Sequence, residues 1–397
     1  MINLVSKMKY NLNYVDKSSL EELRKTLAKP LLLQTTLTYK KYDNCLVLPS
    51  GYPGKNHIGG VFDADGKLLL QSTLHEGFPE RKIDTEDIPS NYSDEVVIFL
   101  GTFHSIWGHA LTDSLKKLWF LDTSEGKNLI LQGAKLAYIF LETSDNYTRK
   151  VLKLAGVDDK LLIEIKVPTR FKEVYLPDSS ILYEKEQDAR TYTKEYKQTV
   201  QRMLANFDSK HIKYPKGLEK VYFSRKNIFQ NGREWGEYAI EKCFEKKGYE
   251  IVSPEKLPME EQIAIIRNCK CFATTEGSIS HNVIFCKPKT DVIIVRKVNR
   301  LNYHQLIINE VANVNVTYID ANASYVYDET KPLDGPFYLC QNKNLENYSH
   351  YKLKIFPIVL KPSFWWYYLT RYSFVRKFLY NRNIIHKIEH FIWKRNW

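Results

Sequence analysis

From Val221 to Val295 short apolar runs rich in β-branched and aromatic residues alternate with longer periodic segments. The order is Val-Tyr-Phe-Ser-Arg (221–225), a helical pattern, Tyr-Glu-Ile-Val (249–252), a second helix, Cys-Phe-Ala-Thr-Thr (271–275), a Gly-Ser loop, a third helix and Asp-Val-Ile-Ile-Val (291–295). This alternation constrains the chain to βαβ units and a parallel sheet. Ligands of such sheets bind outside the carboxyl ends of the strands. Two loops therefore stand out: Ser224-Arg225-Lys226, and Glu276-Gly277-Ser278-Ile279-Ser280-His281-Asn282. Gly277 permits a sharp strand-to-helix turn, and Ser278 or Ser280 can cap the helix that follows. Free N–H groups at that helix start, with Arg225 and Lys226 beside them, suit a phosphate. The competing reading is a capped helix with surface cations and no ligand.

A second informative stretch runs from the apolar strand Glu95–Leu100 into a helical pattern at Ile106. Ile106, Leu111, Leu115, Leu118 and Trp119 share one face. His109 and Asp113 are four apart and lie one turn from each other. A carboxylate beside an imidazole orients it and raises its basicity. His104 lies at the strand end, so two histidines and an aspartate fit general-base chemistry. The alternatives are a buried hydrogen-bonded histidine, and metal ligation by His104 and His109, for which no third ligand is evident.

Both stretches resemble family 61 glycosyltransferases. The resemblance rests on Ser224-Arg225, Lys247-Gly248-Tyr249, Glu261-Gln262-Ile263, Gly277-Ser278 with Asn282, and His104, Trp107-Gly108-His109, Asp113 and Trp119. It covers roughly residues 59–320, and Glu276 stands where relatives often carry His. It implies an α/β protein with two Rossmann-like domains facing a cleft, the GT-B arrangement. It implies an inverting transfer from a nucleotide-sugar donor to a glycan or glycolipid hydroxyl, with no cofactor and no metal. Under it His109 is the base, oriented by Asp113, with His104 as the alternative. Arg225, Lys226 and the backbone at Gly277–Ser278 hold the diphosphate. Glu276 accepts from ribose or sugar hydroxyls, and His281 and Asn282 line the loop.

At 397 residues two domains are expected. The boundaries read as 1–207 (acceptor side), 208–340 (donor side) and 341–397 (a tail), with Asp208–Gly217 as linker. Within the first, Ser18–Ala28 reads as a helix, Gly59–Thr73 as a β-hairpin and Pro79–Tyr92 as a loop. The middle continues with strands at Leu136–Leu141, Leu161–Ile165 and Glu173–Leu176 and helices at Asn146–Ala155 and Thr191–Phe207. Beyond the core, Tyr303–Ala312 reads as a helix and Val314–Ile319 as a strand; 321–350 is poorly patterned.

The six cysteines have no zinc-like spacing and read as buried thiols. No apolar run is long enough to span a bilayer, and the first residues lack a secretory h-region, so a cytoplasmic site is expected.

Of the net charge of +12, residues 361–397 supply +7. That segment interleaves eight Lys/Arg with twelve aromatics. Trp, Tyr and Lys/Arg favour an anionic membrane surface, so the tail is expected at the inner face of the cytoplasmic membrane, as capsule or lipopolysaccharide synthesis requires. A helical cap packed on the protein and single-strand nucleic-acid binding are the alternatives; the rest of the chain is only mildly basic, so no nucleic acid is expected. A non-catalytic membrane-peripheral scaffold of polysaccharide assembly is the rival to the enzyme.

Overall fold

The computed structural model describes residues 9–52, 59–73, 88–141, 147–184, 189–208, 210, 212, 217–227, 234–298, 300–322 and 337–353. Residues 361–397, read as a membrane-surface tail, lie outside the described residues, as does most of the linker at 208–217.

The chain opens with β1 (Tyr10–Tyr14), α1 (Lys17–Ala28), β2 (Tyr39–Leu48), β3 (Gly60–Phe62) and β4 (Asn91–Phe103). There follow α2 (Trp107–Thr112), α3 (Ser124–Leu131), β5 (Lys135–Phe140), α4 (Thr148–Leu154), β6 (Leu162–Glu164) and β7 (Thr169–Pro177). Then come β8 (Ile181–Glu184), β9 (Ala189–Tyr192), α5 (Lys194–Asp208), β10 (Lys220–Phe223), β11 (Glu234–Trp235), α6 (Glu237–Lys246) and β12 (Glu250–Val252). The last elements are α7 (Met259–Asn268), β13 (Cys271–Thr275), β14 (Asp291–Arg296), α8 (Tyr303–Ala312), β15 (Asn315–Asp320), β16 (Phe337–Tyr338) and α9 (Lys343–Ser349).

Two compact units form, and neither is one continuous run. One gathers residues within 1–28, 212–302 and 312–397; the other gathers 29–211 and 303–311. The first holds a six-stranded sheet in the order β1-β15-β14-β13-β10-β12. Every neighbouring pair in it is parallel. Its middle strands are buried along their length, Phe272–Thr275 and Val292–Arg296 included. Burial on both faces explains why these segments read as continuous apolar runs rather than alternating ones. The core of this unit joins Tyr222, Ile240, Phe244, Ala273, Ile293 and Ile319.

The second unit holds a mixed sheet in the order β3-β2-β7-β4-β5-β6. Strands β4, β5, β6 and β7 pair in parallel, and β2 joins β7 and β3 antiparallel. Its core is built from Val47, Val97, Phe99, Ile139, Phe171 and Val174.

The hairpin expected over 59–73 is shorter than its pattern suggests. Leu69 N–H donates to Val61 O at 2.8 Å and Phe62 bridges Leu68, but the chain then winds into a 3₁₀ turn at Leu70–Ser72. Residues Asn91 and Tyr92, expected in a loop, open β4 because they pair with Thr169 and Arg170 of β7. The third helix after β13 is a six-residue 3₁₀ helix, Ser280–Phe285. No helix among the described residues is long and apolar enough to cross a membrane.

Candidate functional site

In the first unit, the order β12-β10-β13-β14-β15 reverses direction between β10 and β13. At such a switch point the loops after the two flanking strands diverge and leave a crevice at their carboxyl ends. The loops are those carrying Arg225 and Gly277. Gly277 has φ +129°, and a β-carbon placed on it would lie 2.9 Å from Arg225 Nη1 and 3.3 Å from Lys297 Nζ. Two cationic groups therefore end against one backbone segment, arriving from β10 and β14. Lys297 is buried, with its ammonium 4.9 Å from the centre of the Phe337 ring.

Two carboxylates of α6 hold the Ser224-Arg225-Lys226 loop. Glu237 Oε1 accepts from Tyr222 Oη at 2.6 Å and from the Arg225 N–H at 3.3 Å. One turn along α6, Glu241 accepts from Ser224 Oγ at 2.7 Å and pairs with Lys226 Nζ at 3.4 Å. Arg225 thus points toward Gly277, while Lys226 is drawn onto α6 and lies over Tyr238.

The helix start expected as a phosphate cradle is not built that way. Ser280 Oγ accepts from Gly277 N–H at 3.2 Å and donates to Gly277 O at 2.7 Å. The serine closes the turn instead of capping an α-helix, and the 3₁₀ helix has no side-chain cap. Its short length yields little dipole, so side-chain cations supply the positive charge.

Glu276 is buried beside this turn. Its Oε2 accepts the Lys297 N–H at 3.1 Å. Burial raises its carboxyl pKa, against the opposing pull of Arg296 and the Lys297 N–H. His281 and Asn282 are buried in the 3₁₀ helix, and Ser278 is half-buried.

In the second unit, β4 ends at Phe103 and α2 begins at Trp107, which sets His104 at the turn and His109 on the helix. His109 Nδ1 lies 2.6 Å from Asp113 Oδ2. Lys116 Nζ stands 3.7 Å from the other oxygen, Oδ1. The His104 ring stacks on His109 at 5.0 Å and 15°, and the His304 ring meets it edge-on at 6.3 Å. Burial alone would raise the Asp113 carboxyl. The His109 hydrogen bond and the charges of Lys116, His109 and His304 outweigh it and hold the group well below the usual carboxylate range. An ionised carboxylate only accepts hydrogen bonds. Nδ1 of His109 therefore donates to Asp113, which fixes the orientation of the ring.

The two predicted clusters thus form separately, each within its own unit: His104, His109 and Asp113 in one; Arg225, Lys226, Glu276, Gly277, Ser278, His281 and Asn282 in the other. Lys297 and His304 escaped the sequence reading. Lys297 directly follows β14, so the rule that ligand groups lie beyond strand ends applied to it as much as to Arg225. His304 carries no local signal, because only folding brings α8 to α2. Lys116, at three residues from Asp113, was legible as a same-face neighbour.

Comparison with curated proteins returned no match. Residues 107–293, just under half of the chain, match the family model described as Glycosyltransferase 61. This span includes His109, Asp113, Arg225 and the Gly277 turn but ends before Lys297 and His304. Over residues 107–293 the chain is thus similar to glycosyltransferase family 61.

Proposed function

We propose that this protein is an inverting glycosyltransferase that moves a sugar from a nucleotide-activated donor to a hydroxyl of a glycan acceptor. The observation that carries the reading is the convergence of Arg225 and Lys297 on Gly277 at the β10/β13 switch point. A departing nucleoside diphosphate develops negative charge, and preorganised cations stabilise it most where water is excluded. Two such cations make a metal unnecessary for that role. The Ser278, His281 and Asn282 segment lines the donor, and Glu276 takes a hydrogen bond from a donor hydroxyl with the oxygen that does not receive Lys297 N–H.

In the reaction, Nε2 of His109 takes the acceptor hydroxyl proton. The acceptor oxygen bonds to the anomeric carbon as the bond to the diphosphate oxygen breaks on the opposite face, so configuration inverts. Asp113 holds the resulting imidazolium; His104 and His304 pack the ring in place. The two units take the GT-B arrangement, each supplying one half of this chemistry. Residues 361–397 hold the enzyme at the anionic inner face of the cytoplasmic membrane, where a lipid-linked acceptor for capsule or lipopolysaccharide is met.

The test is a thermal-shift screen against nucleoside diphosphates and nucleotide sugars. A ligand at 100 times its dissociation constant stabilises the fold by about 2.7 kcal/mol. A hit that disappears in Arg225→Ala supports the donor site and names the nucleotide. A folded sample with no hit overturns the donor reading. For the tail, Gln at Arg371, Arg376, Lys377 and Arg382 should shift the protein from the membrane to the soluble fraction.

A further inference from the structure

The first unit contains a cavity of about 1440 Å³ that belongs to neither cluster above. It runs along β1, from Asp291 and Asn315 at the start of β14 and β15 to Asn322 and Cys340 beyond the strand ends, with α1 and α9 as its walls. Strand β1 closes the sheet edge, three strands from β13. At about 4.8 Å per strand β1 lies roughly 14 Å from β13, and the cavity meets β14 only at Asp291, at the strand end opposite the Gly277 turn.

Seven of the lining residues are asparagines. An amide carries both donors and acceptors, which matches the hydroxyl groups of a sugar better than it matches any single charge. One of the seven, Asn322, is only 7% exposed, and its Oδ1 has no hydrogen-bond partner among the described residues. A buried amide oxygen left unmatched costs stability and calls for a donor from outside the fold. The ionic lining is biased as well: Lys9, Lys17, Arg24 and Lys343 face only Asp16 and Asp291. Both carboxylates are already bound by amides, Asp16 by Asn344 at 2.8 Å and Asp291 by Asn315 at 3.1 Å. Tyr10, stacked on Tyr318, offers an aromatic face at the same wall. The volume exceeds the usual range for a compact small-molecule site, and its length follows a strand.

We infer that this cavity binds an extended oligosaccharide bearing carboxylates, at a site separate from the donor turn. Asparagine amides engage the hydroxyls, Asn322 Oδ1 accepts one of them deep in the cavity, and the excess of lysine and arginine draws the acidic groups. The inference rests on the amide lining and on Asn322, so it and the donor reading can fail independently.

The experiment is ligand-observed NMR on the full chain, with hexasaccharides of oligogalacturonate, alginate and hyaluronan and with neutral maltohexaose. Saturation transfer to an acidic hexasaccharide is expected, stronger than to maltohexaose. Asn322→Ala should weaken it about tenfold while leaving the fold at least as stable, because an unmatched group is removed. Asn347→Ala, on the exposed face of α9, serves as the second variant and should also weaken binding. Nucleoside diphosphate binding should be unchanged in both. Absence of transfer to every member of the panel at millimolar concentration overturns the inference, as does wild-type binding in both variants. A decapeptide of alternating Thr and Val that binds where the saccharides do not would assign the β1 edge to strand addition instead.

Discussion

Gly277 and Arg225 approach so closely that a single methyl group on the glycine would sit 2.9 Å from the guanidinium nitrogen. The glycine is therefore required twice: by its φ of +129° and by the cation beside it. Gly277→Ala should destabilise the fold by about 1–3 kcal/mol, the usual cost of a forced backbone conformation. It should also displace Arg225 and abolish the stabilisation by nucleoside diphosphate. Chemical denaturation with and without ligand measures both; an alanine variant that keeps ligand stabilisation would remove Gly277 from the site.

Lys297 makes a separate prediction because its aliphatic stem is buried whatever its charge does. Lys297→Met keeps a buried side chain of similar length and deletes the ammonium, with its cation–π contact to Phe337. Nucleoside diphosphate affinity should fall at least tenfold, or about 1.4 kcal/mol, with little change in thermal stability. Binding should also lose part of its salt dependence, which calorimetric titration at two ionic strengths will reveal.

Asp113 fixes the His109 tautomer by accepting from Nδ1. In Asp113→Asn the amide can present its N–H to the ring instead, which would put the proton on Nε2 and block the base. Turnover should fall by about 10²–10⁴, the range that general-base catalysis contributes, with KM little changed. The same pair has a pH signature. The folded-state pKa of Asp113 is depressed, so its stabilising effect is present above the unfolded value of about 3.9 and is lost as pH falls below it. Thermal melts between pH 2.5 and 7 should show a shallower acid decline in the variant than in the parent. Equal slopes would mean that the carboxylate does not carry this linkage.

Glu276 has the opposite sign. Burial raises its folded pKa, so its contribution to stability is greatest in acid and is lost as pH rises through that pKa. Glu276→Gln retains an oxygen to accept the Lys297 N–H. Its melting temperature should equal the parent's at pH 4 and exceed it at pH 8. A variant less stable than the parent at pH 8 would show that the charge itself holds the turn.

Arg296 and Asp320, register partners on β14 and β15, form a fully buried ion pair at 2.8 Å. Asp320 Oδ2 also accepts the Asp16 N–H at 2.8 Å. Arg296→Met should cost about 3–5 kcal/mol, because it strands a buried carboxylate. Adding Asp320→Asn should recover much of that loss, since the amide oxygen still accepts from Asp16. A double variant no more stable than the single one would place the cost in packing, not in charge.

The local patterns were legible because they depend on neighbours in sequence. The runs of apolar, aromatic and β-branched residues at 221–223, 271–275 and 291–295 are strands, and Tyr303–Ala312 is a helix, since period and burial coincide there. The His109–Asp113 contact followed from one helical turn, and the Arg225 and Gly277 loops from their places after strands. Other elements were missed or not legible. Tyr10–Tyr14 alternates apolar and polar residues, a strand signal in its own right, but no local pattern names its partner β15, some 300 residues later. The helix after β13 shortened to a 3₁₀ turn because Ser280 bonds Gly277 twice and tightens the chain.

By itself, then, the sequence determined the alternating α/β architecture and the two groups of polar residues, through periodicity and spacing. Tertiary structure alone decided the strand order, and with it the switch point between β10 and β13. It alone carried Lys297 to Gly277, His304 to His109 and an orphaned Asn322 oxygen into a cavity lined with amides. Such meetings join residues remote in the chain, and their chemistry exists only once burial has chosen which of them share a wall.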